Sequence, residues 1–228
     1  MITEAIILAG GLGTRLRDAV PELPKCMAPV NGKPFIHYVI SHFQQQGITD
    51  IVFALGYKSD AFDSYLSSLS INYKLSIEDE PLGTGGAIKL ACGIATSANV
   101  IVTNGDTLYK ANIAALSAFH TTKNADCTIC LKPMQQFDRY GVVHINETQR
   151  ITSFKEKQFY ESGYINAGLY ALNREQFLSE ALPQKFSFEK DYMEALFSQR
   201  NMFGNVQDEY FIDIGIPEDY ARAQKKLA

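Results

Sequence analysis

The stretch Ala5-Ile-Ile-Leu-Ala-Gly-Gly-Leu-Gly-Thr-Arg-Leu16, closed by Pro24-Lys25, sets the reading of the whole chain. Its apolar run, Ala5 to Ala9, predicts a buried strand, and that strand breaks abruptly into Gly10, Gly11 and Gly13. Successive exposed N–H groups in such a turn form an anion-binding concavity. Thr14 adds a hydroxyl, Arg15 a guanidinium fork suited to phosphate oxygens, and Lys25 a mobile ammonium. Backbone donors and two cations in one loop are what a polyphosphate needs. Two familiar glycine loops are excluded. The dinucleotide fingerprint wants a third glycine where this chain has Leu16, and no Gly-Lys-Ser/Thr run of a Walker A loop occurs. A plain strand-to-helix turn with a surface Arg and Lys is the bland alternative; the attached Thr14-Arg15 and Pro24-Lys25 favour phosphate.

Outward from the loop, 34–46 carries Phe35, Val39, Ile40 and Phe43 at helical spacing and stops at Gly47. A short buried strand over 51–55 ends at Gly56. A helix over 60–69 follows, with Phe62, Tyr65, Leu66 and Leu69 on one face, and then a strand over 73–77. Strand, loop, helix, strand, helix, strand implies a parallel sheet with crossover helices, whose ligands sit beyond the carboxyl ends of the strands. A second glycine-rich turn, Glu78-Asp-Glu-Pro-Leu-Gly-Thr-Gly-Gly-Ala87, leads into a helix over 85–95. A strand over 100–104 runs into Gly105-Asp106, and a helix over 112–124 is capped by Asn112.

From Asp126 the pattern changes. Strands are predicted over 126–132, 141–145, 151–155 and 164–172 with no helices between them, so this half should add antiparallel strands to the sheet. Helices over 174–181 and 187–199, a strand over 210–213 and a helix over 218–227 complete the chain, with Pro217 suiting the first turn of the last. No internal repeat, low-complexity segment or linker interrupts it. Residues 1–228 are expected to form one domain in two halves, 1–125 and 126–228.

At 228 residues, 46% hydrophobic and 20% charged, the chain suits a globular α/β protein. A net charge of −4 gives no electrostatic footprint for nucleic acid or an anionic membrane. The N-terminus lacks a basic, long apolar leader, and no apolar run approaches the roughly 20 residues of a membrane span. Cys127 and Cys130 form C-x-x-C, but an i,i+3 pair in a strand points to opposite faces. Reduced core thiols in a cytoplasmic protein are therefore expected. The sequence is compatible with a homo-oligomer.

Asp106 and Asp213 each end an apolar run beside a glycine. Either one alone reads as a turn cap. Their shared strand-end context, beside a phosphate loop, favours a hard-oxygen site for Mg²⁺. Asp79, Asp138 and Asp208 read as surface charges. Lys157 offers a charge for a second phosphate, although taken singly it reads as a solvated lysine, and Glu156 beside it can accept hydrogen bonds from hydroxyls. Asn166 interrupts an apolar strand, so a neighbouring backbone group or a ligand hydroxyl must satisfy it.

Taken together these residues resemble the sugar-1-phosphate nucleotidyltransferases over essentially the whole chain. The resemblance is carried by Leu8-Ala-Gly-Gly-Leu-Gly-Thr-Arg15 with Pro24-Lys25, Pro81-Leu-Gly-Thr-Gly-Gly86, Asn104-Gly-Asp106, Glu156-Lys157, Asn166-Ala-Gly168 and Asp213-Ile-Gly215, in that order. Within that family, Asp138-Arg-Tyr-Gly141, Lys185-Phe-Ser-Phe-Glu189 and the run from Tyr210 to Tyr220 are most similar to D-glycero-α-D-manno-heptose 1-phosphate guanylyltransferases. Cys26 departs from the proline common in relatives; it removes no donor.

The resemblance implies a Rossmann-like three-layer α/β sandwich around a mixed, mainly parallel central sheet. It implies a Mg²⁺-dependent reaction of GTP with a heptose 1-phosphate, giving GDP-heptose and pyrophosphate. Lys25 would contact the α-phosphate, Arg15 the leaving pyrophosphate, and Asp106 and Asp213 the metal. Nucleotide contacts would come from Leu8, Gly10, Gly11, Gly13, Thr14, Glu78, Pro81, Gly83 and Thr84. Lys157 would hold the sugar phosphate, and Asn104, Gly141, Glu156 and Asn166 the sugar. The end product suggested by the family is a cell-surface polysaccharide or glycoprotein glycan.

Glu78 stands where relatives reading uracil or thymine often carry glutamine. A carboxylate only accepts, and guanine's Watson–Crick edge offers N1–H and N2–H₂ together, so Glu78 leans to GTP. Mannose 1-phosphate with GTP and a hexosamine 1-phosphate with UTP are the alternatives that keep the chemistry. A nucleotide-sugar glycosyltransferase would need a D-x-D motif that Asp106-Thr-Leu lacks. A non-catalytic regulatory protein would tend to lose the loop cations or carboxylates, and all are present. The chain ends at Ala228 without a hexapeptide-repeat extension, so an acetyl-transfer fusion is not expected.

Overall fold

Residues 1–11, 23–56 and 59–227 are described in the computed structural model of the chain. The elements run β1 (Glu4–Leu8), β2 (Pro29–Val30), β3 (Lys33–Pro34), α1 (Phe35–Gln45), β4 (Asp50–Leu55), α2 (Asp63–Leu66), β5 (Asn72–Ile77) and α3 (Gly83–Ile94). They continue through β6 (Asn99–Asn104), β7 (Thr107–Tyr109), α4 (Ile113–Thr122), β8 (Cys127–Phe137), β9 (Val142–Ile145), β10 (Ile151–Lys155) and β11 (Tyr160–Asn173). Helix α5 (Arg174–Leu178), a π-helical segment Phe188–Glu194, β12 (Met202–Val206), β13 (Phe211–Asp213) and α6 (Pro217–Lys226) complete the order.

The strands build a mixed sheet ordered β10-β9-β11-β6-β1-β4-β5, with β8 on β11 and β12 on β8. Strands β6, β1, β4 and β5 run parallel, with Leu8 beside both Ala54 and Asn104. Strands β6, β1 and β4 are short apolar runs buried on both faces, as a covered parallel strand must be, whereas β5 at the sheet edge is largely exposed. Alternation along β1 feeds two cores: Ala5 and Ile7 face α1, α4 and α6, while Ile6 faces α3, α5 and the π-helical segment. Helices therefore cover both faces of the sheet, the expected three-layer arrangement. Cys127 and Cys130 fall into opposite cores as free thiols.

Asn112 caps α4 by accepting from Ala115 N at 2.9 Å. The predicted helix over 60–69 is instead a 3₁₀ turn, Ser59–Phe62, followed by the short α2. The helix predicted over 187–199 winds as a π-helix over Phe188–Glu194. Four strands escaped the pattern: β2 and β3 of the hairpin and β7, each only two or three residues long, and β12. Strand β12 also runs parallel to β8, where only antiparallel additions were expected.

Candidate active site

The parallel strands deliver their carboxyl ends to one edge, and a cleft of about 690 Å³ opens there. Leu8, Ala9, Gly10 and Gly11 come from the end of β1, Gly56 from β4, Glu78 from β5, and Asn104 and Asp106 from β6. Gly10 lies so close to the neighbouring strand that a Cβ there would sit 2.8 Å from Gly56 N. Only glycine lets the two strand ends meet and keeps the floor of the cleft at backbone level. Pro81, Gly83 and Thr84 form the opposite wall. Gly13, Thr14 and Arg15 lie outside the described residues.

Glu78 points its carboxylate into this cleft. Its Oε2 accepts from Leu82 N at 3.2 Å, leaving Oε1 for a ligand. Burial raises the Glu78 pKa above the ordinary carboxylate value, and the Leu82 N–H opposes that rise.

Asp106 and Asp213 meet because β7 and β13 pair, setting Asp213 opposite Thr107 in the ladder. That pairing closes a separate two-stranded sheet and was not legible from the sequence. Lys25 lies between the two carboxylates: its Nζ contacts Asp106 Oδ2 and is 3.6 Å from Asp213 Oδ1. Burial and then the Asp106 charge raise the Asp213 pKa; Lys25 and the Gly215 N–H, which donates to Oδ1 at 2.6 Å, oppose the rise. The expected convergence of the two aspartates is thus present.

Beyond this junction a second cleft of about 440 Å³ opens on the antiparallel half. Gly141, Glu156, Lys157 and Asn166 line it, as do Asn104 and Asp213. Strand β11 pairs with β8 up to Asn166, shifts register, and resumes at Tyr170. Within that irregularity Gly168 adopts φ +70°, and Asn166 Oδ1 accepts from Gly168 N at 2.9 Å while its Nδ2 donates to Tyr170 OH at 3.0 Å. The neighbouring-backbone option for Asn166 is therefore realised. Lys157 and Glu156 are exposed at the rim.

The model of the family described as nucleotidyl transferase matches residues 4–228. The chain belongs to the nucleotidyl transferase family. It is 49% identical, over 98% of both chains, to D-glycero-α-D-manno-heptose 1-phosphate guanylyltransferase of Aneurinibacillus thermoaerophilus. It is 41% identical to the enzyme of the same name from Campylobacter jejuni, over 95% of this chain and 96% of that one. Among solved structures, HddC from Yersinia pseudotuberculosis complexed with GMP-PN superposes with a TM-score of 0.87, at 35% identity and full coverage of both chains.

In this nucleotidyl transferase the glycines of Pro81-Leu-Gly-Thr-Gly-Gly86 have a role that sequence reasoning missed. Residues 184–189 cross the start of α3: a Cβ on Gly83 would meet Phe186 O at 2.5 Å, one on Gly85 would strike the Phe186 ring, and one on Gly86 the Gln184 carbonyl. Gly85 N donates to Phe186 O, and Phe186 N to Leu82 O, each at 3.0 Å. Thr84 Oγ1 accepts from Phe188 N at 2.9 Å and donates to Glu189 Oε2 at 2.6 Å. Glu189 lines both clefts. The sequence offers Glu189 only as the end of the run Lys185-Phe-Ser-Phe-Glu189, with no local signal of a role in the site. Asp79, read as a surface charge, also lines the first cleft.

Proposed function

We propose that the protein transfers GMP from GTP to D-glycero-α-D-manno-heptose 1-phosphate, giving GDP-heptose and pyrophosphate. The observation that carries this reading is the pair of clefts meeting at Lys25, Asp106 and Asp213, in a chain alike over nearly its whole length to two heptose 1-phosphate guanylyltransferases. One cleft has the place and size for a nucleotide, the other for a sugar phosphate, and a reacting phosphate group fits between them.

In the reaction, an oxygen of the sugar phosphate attacks the α-phosphorus of GTP, a new P–O bond forms, and the bond to the β-phosphate breaks. Because the attacking phosphate is already ionised, no general base is needed; alignment and charge neutralisation supply the acceleration. Lys25 neutralises the α-phosphate and Arg15 the departing pyrophosphate. Lys157 draws in the sugar phosphate, while Gly141, Glu156, Asn104 and Asn166 shape the sugar cleft. The β1 turn with Leu8, Gly10, Gly11, Gly13 and Thr14 holds the nucleotide against Pro81, Gly83 and Thr84.

Asp106 and Asp213 suit Mg²⁺: two converging carboxylates already bracket one cation, the Lys25 ammonium. Among the described residues no cluster of three or more His, Cys, Asp or Glu side chains gathers, so the remaining ligands would be phosphate oxygens and water. Bound there, Mg²⁺ would supply further neutralisation of the phosphoryl oxygens.

Glu78 supports the choice of guanine, since it lines the cleft and its Leu82 N–H bond occupies only Oε2, leaving Oε1 to accept from the base. Pyrophosphate release from GTP, UTP, dTTP, CTP or ATP, each paired with heptose or mannose 1-phosphate, tests the reading. GTP with the heptose should be fastest, and equal turnover with UTP removes the role given to Glu78.

A further inference from the structure

We propose that Lys25 withholds the Asp106–Asp213 carboxylate pair from divalent cations in the free protein, releasing it only when nucleotide phosphates draw the ammonium away. The inference rests on the metal reading above and adds to it an order: nucleotide and metal arrive together, never the metal first.

Three features carry it. Lys25 is anchored beside the carboxylate pair in the free state. It opens one 3₁₀ turn, Lys25–Met27, whose backbone is tied by Met27 N to Pro24 O at 2.8 Å and by Ala28 N to Lys25 O at 3.1 Å. The side chain is only 13% exposed and reaches both carboxylates from that fixed base. Second, the wall opposite is glycine. A Cβ on Gly215 would sit 3.3 Å from Lys25 Nζ and 2.9 Å from Asp213 Oδ1, so the ammonium has the space between the aspartates to itself.

Third, the charges favour this occupant. Two carboxylates facing each other, one of them three-quarters shielded from water, repel and need a counter-ion. Among the described residues, the other cation near Asp213, Arg139, is held by Asp219. Lys25 supplies the counter-charge without an external ion. A divalent cation approaching the free protein would meet that ammonium at the inner carboxylate oxygens. A triphosphate reverses the balance, because it offers several anionic oxygens to a flexible four-carbon stem and simultaneously completes a metal's ligand set.

Mn²⁺ titration followed by the electron paramagnetic resonance of the free ion tests this without turnover. In the absence of nucleotide, wild type and Lys25→Arg should bind Mn²⁺ weakly, and Lys25→Met should bind about tenfold tighter or more. Adding Asp106→Asn to Lys25→Met should remove the gain. A non-hydrolysable GTP analogue should tighten Mn²⁺ binding by wild type beyond what the analogue binds in a protein-free control. Thermal unfolding gives a second readout: Mn²⁺ alone should raise the Tm of Lys25→Met but not of wild type. Lys25→Gln replaces the Met variant if that one does not fold.

Tight Mn²⁺ binding by wild type without nucleotide, or unchanged binding by both uncharged variants, overturns the gate while leaving the metal site standing. Analogue-dependent Mn²⁺ binding that survives Asp106→Asn and Asp213→Asn together overturns the metal reading itself, and the gate with it.

Discussion

The two halves of the molecule solve the same problem, placing polar groups at a sheet edge, by opposite means. In the half proposed to hold the nucleotide, the groups are set by parallel strand ends: β1, β4, β5 and β6 stop at one level, and Gly10, Gly56, Glu78 and Asp106 follow. Topology does the positioning, and each residue is placed by its own strand. In the half proposed to hold the sugar, the groups are set by departures from regularity. A register shift in β11 places Asn166 and Gly168, and a π-helical segment presents Glu189. The first design is robust and readable. The second depends on long-range packing.

The joint between the halves should be the most sensitive point. Asp106→Asn is expected to lower kcat for pyrophosphate release by about 10²–10³-fold, a typical loss for one preorganised electrostatic partner. Its Tm should stay near wild type. Full activity would mean that Asp106 is a turn cap and the halves meet elsewhere.

A change confined to the nucleotide half should spare the sugar. Glu78→Gln is expected to reduce kcat/KM for GTP by about 10–100-fold with the KM for sugar phosphate unaltered. The sign with pH follows from the burial-raised Glu78 pKa. The acceptor form is present near neutrality and is lost, as pH falls, sooner than for an exposed glutamate. The KM for GTP should therefore rise toward acid pH in wild type and remain flatter in the Gln variant.

The strap over α3 offers a structural test. Gly86→Ala forces a methyl into the Gln184 carbonyl, which cannot retreat without moving the segment that carries Glu189. Destabilisation of about 1–3 kcal/mol is expected, lowering Tm by roughly 2–4 °C per kcal/mol in a chain this long. Both substrates should suffer, in contrast to Glu78→Gln. The smallest effect is expected at the rim: Lys157→Ala should raise the KM for sugar phosphate by about tenfold, leaving GTP unaffected.

The same contrast explains what the sequence could convey. The strand ends of the first half follow from short apolar runs broken by glycine or a carboxylate, and both the α1 stop before Gly47 and the Asn112 cap are local chemistry. The meeting of Asp106 and Asp213 was inferred from their shared context. Its cause, the pairing of β7 with β13, was not visible, because a three-residue ladder joining segments about 100 positions apart has no local signature. Residues 81–86 read as a second glycine-rich turn at a strand end, with nucleotide contacts implied by the resemblance. Their glycines are equally explained by Phe186 and Gln184, which are distant in sequence. Glu189 is defined by a non-local hydrogen bond to Thr84, so no spacing rule could single it out.

Pyrophosphate release, measured with each substrate alone and with both, tests the joined-cleft account most directly. GTP and D-glycero-α-D-manno-heptose 1-phosphate together should give rapid, stoichiometric release alongside a GDP-sugar, and neither alone should release any. Release from GTP without a sugar phosphate, or none with any sugar 1-phosphate, would contradict it.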